Sequence, residues 1–318
     1  MADEASITDE PPEAVEQERR ELAAALDERV PARKIDENLL IATWNIKSFS
    51  DLTERWEVAE KNDPMRNLRG LLAIGEIVRR FDVVAVQEVQ GNLKALRHLM
   101  KWLGPEWSFI MTDKNEGHQG GWERMAFLYD TRRVQLSGLA GEVVIPVDVD
   151  YPIDRQFARS PYAVSFRAND QTFLLVTFHI DAGSDEERNP ELETTAEWMA
   201  DWARDLNDWD HNLILLGDFN TETIGSKGYE LLTSTGLMVP DELHGLMRTL
   251  SQEPGETKFY DHIAWFAEKD SDAPALSLDY RTGGHVSFDD LVMEDVPESD
   301  LQHIVSDHYP LWAEFGAH

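Results

Sequence analysis

The chain has 318 residues, a formal net charge of −32 and no cysteine. That length buries a full core as one large α/β domain or two smaller ones, and the missing thiols exclude disulfides and thiolate metal sites. With no apolar run long enough for a membrane span and no signal-peptide pattern, a cytoplasmic home is expected. The acidic excess reads as a solubility surface; it opposes binding to a polyanion at low salt, and screening blunts that repulsion at high salt.

Residues 1–37 form an acidic, apolar-poor extension broken by Pro11, Pro12 and Pro31. A helix over 13–28, with Leu22, Ala25 and Leu26 at helical spacing, competes there with partial disorder. From 38 to 318 apolar strand runs alternate with amphipathic helices, as a catalytic domain would. A strand over 39–47 precedes a helix over 67–80, which sets Leu68, Leu71, Leu72 and Ile77 on one face. The unbroken apolar run 83–89 predicts a strand buried on both faces, and 92–103 the next helix. Strands follow at 108–112, 125–129, 161–167 and 172–179, the last two joined by a tight turn at 168–170. An acidic loop is expected over 181–193 as a cap on the site, with the insertion 51–66 shaping its other side. A helix over 191–209 carries Trp198, Trp202, Leu206 and Trp209 as a core-facing seam. Strands at 213–216, 258–265 and 311–315 complete the pattern. Helices alternating with strands around central hairpins predict a four-layer α-β-β-α sandwich of two packed mixed sheets flanked by helices.

Five short motifs close strand runs in fixed order: TWNIKS (43–48), VQEV (86–89), TFHID (177–181), LLGDFNT (215–221) and SDHYPLWAEF (306–315). They deliver Asn45, Glu88, His179, Asp218, Asn220, Asp307 and His308 to one sheet rim. Hard oxygen ligands with imidazoles suit a divalent cation assisting hydrolysis at phosphorus. Asp218 and Asn220 flank Phe219, so strand alternation turns both to one side. That suits Asp218 to position or deprotonate water and Asn220 to donate to a phosphoryl oxygen. His98, His118, His211, His244, His303 and His318 read as structural.

Five motifs in this order, spread from about 39 to 315, resemble the endonuclease/exonuclease/phosphatase superfamily. YDHIAW (260–265) and WERMAFLY (122–129) place the resemblance on its DNase I-like side. It implies a metal-dependent phosphoesterase that uses Mg²⁺ or Mn²⁺, held by Glu88 with Asn45 and, opposite, Asp307. It implies that His308 contacts the scissile phosphate or acts as base, with Asp261 on its second ring nitrogen. His179 is then the second imidazole, oriented by Glu123, and Arg159 a phosphate contact, with a surface salt bridge as the alternative. One position departs: Gln90 follows the VQEV motif where DNase I-like nucleases carry a groove-reading arginine. Nucleic acid, DNA foremost, is the expected substrate. A small phosphoester (phosphoinositide, sphingolipid or nucleotide) is the rival that Gln90 and the acidic surface favour, and a catalytically silent binding scaffold is the second rival. The oligomeric state stays open.

Overall fold

The computed structural model describes residues 5–57, 65–114, 122–146, 156–205, 212–250, 258–266 and 276–316. His118, His211, His318, part of the insertion 51–66 and the end of the expected helix 191–209, with Leu206 and Trp209, lie outside them.

One sheet is formed by β1 (Asn38–Phe49), β2 (Val83–Val89), β3 (Trp107–Met111), β4 (Arg124–Asp130), β11 (Tyr280–His285) and β12 (Leu311–Gly316). Its order is β11-β12-β1-β2-β4-β3. The second is formed by β5 (Gln135–Glu142), β6 (Tyr162–Ala168), β7 (Gln171–His179), β8 (Leu213–Asp218), β9 (Leu237–Met238) and β10 (Asp261–Phe266), in the order β5-β6-β7-β8-β10-β9. Both sheets are mixed: β1–β2 and β7–β8 are parallel, whereas β1–β12 and β8–β10 are antiparallel. The helices are α1 (Glu13–Arg29), α2 (Leu68–Val78), α3 (Lys94–Leu103), α4 (Asp185–Arg204), α5 (Lys227–Leu232) and α6 (Glu298–Ile304). The sandwich expected from the sequence is the one that forms.

Strand alternation explains the two cores. In β1, Leu39 and Ile41 face the second sheet, while Leu40, Ala42 and Trp44 face the helices of the outer layer. In β2, Val83 and Ala85 point inward and Val84 and Val86 outward, so an unbroken apolar run is buried on both faces. The outer layer over the first sheet includes α1, whose Val15, Leu22 and Leu26 are buried. Ion pairs of Arg19 with Glu76, Arg69 with Glu18 and Arg80 with Asp27 lace α1 to α2 and its C-terminal turn.

Two expectations change. The acidic segment 181–193 is not a capping loop: α4 begins at Asp185, and Glu187 accepts a hydrogen bond from Ser184 N (3.2 Å), as in a capping box. The acidic side chains there occupy the first helical turns, where the helix dipole favours them. Second, the sequence pattern left out β5 and β11. Six of the eight β5 residues are exposed, and β11 contains Gly283 and Gly284, so neither carries a strong apolar alternation.

Candidate active site

The alternation that builds the core also aims the site. Asn45 shares the inward face of β1 with Leu39, Ile41 and Thr43, so it points across to the second sheet. There its Nδ2 donates to Asp218 Oδ2 (3.1 Å). Beneath it Gln87, inward from β2, donates to Thr43 Oγ1 (3.1 Å) and Thr177 Oγ1 (2.8 Å), tying the two sheets under the rim.

In the second sheet, register sets the row. His179 pairs with Asp218 across β7–β8, and Asp218 pairs with Asp261 across β8–β10. The close approach needs Gly217: its φ is +140°, and a Cβ there would lie 2.1 Å from Phe178 O. No other residue type satisfies both constraints.

Two carboxylate–imidazole pairs flank Asp218. His308 Nδ1 is 2.8 Å from Asp261 Oδ2, and His179 Nδ1 is 3.1 Å from Glu123 Oε2, the latter off the line of a well-formed hydrogen bond. The two Nε2 atoms each lie 3.9 Å from Asp218 Oδ2. Asp218, Asp261 and His179 are buried, and His308 nearly so. Burial disfavours the His308 imidazolium, but Asp261, with Asp218 and Asp307 beyond it, outweighs that and pushes its pKa up to about 10. The shift favours the imidazolium of His308, the form that donates rather than accepts a proton. Burial raises the Asp261 carboxyl, against the pull of His308. Burial also works to raise Glu123, but His179 and Arg159 hold it below its ordinary value.

Glu88 would face outward by strict alternation. Irregular pairing between Val86 and Val89, with φ +60° at Glu88, re-aims it, and its carboxylate accepts from Ser48 N (2.7 Å). Ser48, Glu88, Trp122 and Asn220 all hold positive φ around this rim, where backbone strain tends to collect. Asp307 is paired with Lys47 Nζ (2.8 Å), and Arg159 with Glu123 (2.9 Å). Arg159 thus partners a site carboxylate from a half-buried position, while its Nη1 has no hydrogen-bond partner.

The strand argument for Asn220 does not hold. β8 ends at Asp218, whose Oδ1 accepts from Asn220 N (3.0 Å) in a turn, and Asn220 Nδ2 donates to Ile180 O (2.9 Å). One amide hydrogen is committed to the neighbouring strand end.

Several site residues escaped the sequence reading. Ser306 Oγ donates to Asn45 O (2.6 Å) and accepts from His308 N (3.2 Å), and Trp44 Nε1 donates to His308 O (2.8 Å), lacing the first motif to the last. Thr221 Oγ1 lies 2.6 Å from Nε2 of His262, a buried ring whose pKa burial drives well down. Arg66, also buried, donates to the carbonyls of Lys47, Ser48, Ile304 and Val305 behind Glu88 and Asp307. Position within the motifs was a signal for Ser306, Trp44 and Thr221. Arg66 gave none.

The site can hold a hard cation. Among the described residues, Asp218, Asp261 and His308 offer donor atoms within 4.8 Å of one another. Asn45 Oδ1 and Asp261 Oδ1 are buried without a hydrogen-bond partner, as oxygens that await a ligand would be.

The sequence model of the Endonuclease/Exonuclease/phosphatase family matches residues 42–308. The chain belongs to that family. No curated protein matches it in sequence. Among solved structures, the human Nocturnin catalytic domain with bound sulfate is similar at 15% identity and TM-score 0.57, over 91% of this chain and 97% of that one. A mannosyl-6-phosphatase of Bacteroides thetaiotaomicron is similar at 18% identity and TM-score 0.56, over 87% and 99%. TDP2 of D. rerio with a single-stranded DNA product is similar at 14% identity and TM-score 0.55, over 87% and 98%. At these identities the likeness is one of fold. The family assignment makes the protein a hydrolase of the phosphoesterase type. No described helix is long and apolar enough to cross a membrane.

Proposed function

We propose that the protein is a Mg²⁺- or Mn²⁺-dependent phosphodiesterase that cleaves nucleic acid by in-line attack of water. The observation that carries the reading is the single Asp218 carboxylate set between two carboxylate-backed imidazoles, with a donor amide on the same oxygen. Asp218 accepts the proton of the attacking water. His308, as the imidazolium, donates toward the phosphoryl or leaving oxygen, and Asp261 fixes its ring. His179 does the same from the opposite side under Glu123, and the second amide hydrogen of Asn220 adds a donor.

Asn45 Oδ1, Glu88 and Asp307 would hold the cation. A cation among Asp218, Asp261 and His308 competes with the His308–Asp261 bond, whereas one at Asn45 and Glu88 leaves it intact. Asp307, paired with Lys47 in this structure, would be the third carrier of the metal. Once bound, the cation supplies charge that stabilises the phosphoryl oxygens.

A second reading, a small phosphoester as substrate, draws on the cations at the rim. Lys47 is engaged by Asp307 and Arg159 by Glu123, and Gln90 stands where an arginine would reach a groove. Among the structures of like fold, TDP2 was solved with a single-stranded DNA product, in keeping with the first reading, and the mannosyl-6-phosphatase is in keeping with the second.

The test is cleavage of supercoiled plasmid, a single-stranded oligonucleotide and para-nitrophenyl phosphate esters, with Mg²⁺, Mn²⁺ or EDTA, at low and high salt. Cleavage of the nucleic acids that needs metal, rises with salt and is lost in Asp218→Asn supports the nuclease. Cleavage of the small esters alone moves the assignment to the second reading. Cleavage of none overturns both.

A further inference from the structure

The acid–base pair Asp261–His308 is joined by one residue outside every motif. Arg248 is fully buried. Its guanidinium donates to Asp261 O (2.9 Å), Leu246 O (2.8 Å) and Leu243 O (2.5 Å), with its plane over the Phe259 ring at 4.6 Å. Its backbone works in the other direction. Arg248 O accepts from Tyr309 N (2.8 Å), Leu250 N donates to Asp307 O (2.8 Å), and Thr249 bridges His308. The side chain thus fixes Asp261, and the main chain fixes His308.

The geometry points to Arg248 as a positioning residue that sets the Asp261–His308 distance and through it the catalytic proton donor, a role that rests on the phosphoesterase reading. Arginine is the side chain that fits. Its planar fork reaches three carbonyls at once, which a lysine's compact ammonium cannot. An apolar residue of similar size leaves those carbonyls unsatisfied. The charge works in the same direction: burial and, less strongly, Asp218 oppose the ionised form of Asp261, and the Arg248 cation adds a smaller pull to that of His308 against them.

The experiment compares full-length wild type, Arg248→Lys and Arg248→Met on bis-para-nitrophenyl phosphate with Mg²⁺, after thermal melts establish that each is folded. In parallel, proton NMR follows the low-field imidazole proton of the short His308 Nδ1–Asp261 bond, identified by its loss in His308→Gln. The expected result for folded Arg248→Met is a kcat lower by roughly 10–100-fold with KM little changed. The low-field proton is shifted or lost, and Arg248→Lys falls between. A folded variant with wild-type kcat and the low-field proton in place overturns the inference, as does a loss that appears only in KM. If Arg248→Met does not fold, Arg248→Lys decides by the same criteria. If wild type hydrolyses nothing, the phosphoesterase reading fails, while the NMR arm still decides whether Arg248 sets the pair.

Discussion

His179 ends β7 of the second sheet and His308 lies just before β12 of the first, yet each places its Nε2 3.9 Å from the same oxygen, Oδ2 of Asp218. Two donors converging on one carboxylate act on one proton inventory and one phosphoryl group, so their effects should not add. His179→Gln and His308→Gln are each expected to lower kcat by roughly 10²–10⁴-fold. The double variant is expected to lose far less than the product of the two losses, as groups that act as a unit do. Strictly multiplicative losses in a double-mutant cycle would show two independent roles.

The charge of His308 has a stability signature. Its folded pKa of about 10 stands above the ordinary 6.5, so the folded state favours the imidazolium. That contribution is complete below about pH 6.5 and disappears as pH rises through about 10. The stability gap between wild type and His308→Gln, measured in EDTA by denaturant titration, should therefore narrow across that window. A gap independent of pH there would mean that His308 is neutral in the fold.

Much of this was legible from sequence, for a physical reason. Polar residues set in or beside long apolar runs stand out: His179 and Asp218 end β7 and β8, Glu88 is next to last in β2, Asn45 follows the apolar half of β1, and His308 stands just before β12. The pairing of each imidazole with its carboxylate rested on family resemblance; His308 is hydrogen-bonded to Asp261, and His179 lies beside Glu123 without a well-formed bond. Contacts made by backbone were hidden. Arg66 acts on carbonyls 18 to 239 residues away, and Arg248 on those of Leu243, Leu246 and Asp261, none of which leaves a periodic trace. The strand argument for Asn220 failed because two residues past the end of β8 the alternation no longer applies. The acidic stretch 181–193 looked like a loop because charge and Pro190 masked a Ser184–Glu187 capping pattern that the sequence does contain.

Metal affinity should separate from catalysis by residue. Glu88→Gln removes charge from the proposed metal side without touching either imidazole. It is expected to abolish the Mg²⁺-dependent rise in melting temperature that preferential binding to the folded state produces. Asp261→Asn should keep that rise and lose turnover. Differential scanning fluorimetry across an Mg²⁺ series, with and without EDTA, reads both. An undiminished metal response in Glu88→Gln would move the cation to the Asp218–Asp261–His308 group.

Gly217 sets the His179–Asp218 row by letting β8 approach Phe178. Gly217→Ala forces a Cβ against Phe178 O at 2.1 Å and a side chain onto φ +140°. Strain and backbone displacement together should cost at least about 2 kcal/mol, with turnover falling further because Asp218 shifts. A urea titration beside kcat separates the two, and a variant as stable as wild type would show that the strands part without cost.

Helix α1 packs as part of the outer layer. Leu26 is fully buried against the first sheet's helices, and Arg19 reaches the buried carboxylate of Glu76. Leu26→Ala should therefore destabilise the whole domain by about 2–5 kcal/mol in a single cooperative transition, as a core truncation does. A helix only loosely attached would give a different result: global unfolding unchanged in urea, with extra proteolysis confined to residues before β1. Limited proteolysis alongside the denaturation curve distinguishes these outcomes. The ion pairs add a pH dependence. The Glu16 carboxyl is held down to about 2 by its bond to Arg19, so acid weakens this pair within α1 as pH falls from about 4.5 toward that value. Protection of α1 amides from hydrogen exchange should fall over the same range, ahead of the protection in β1 and β2.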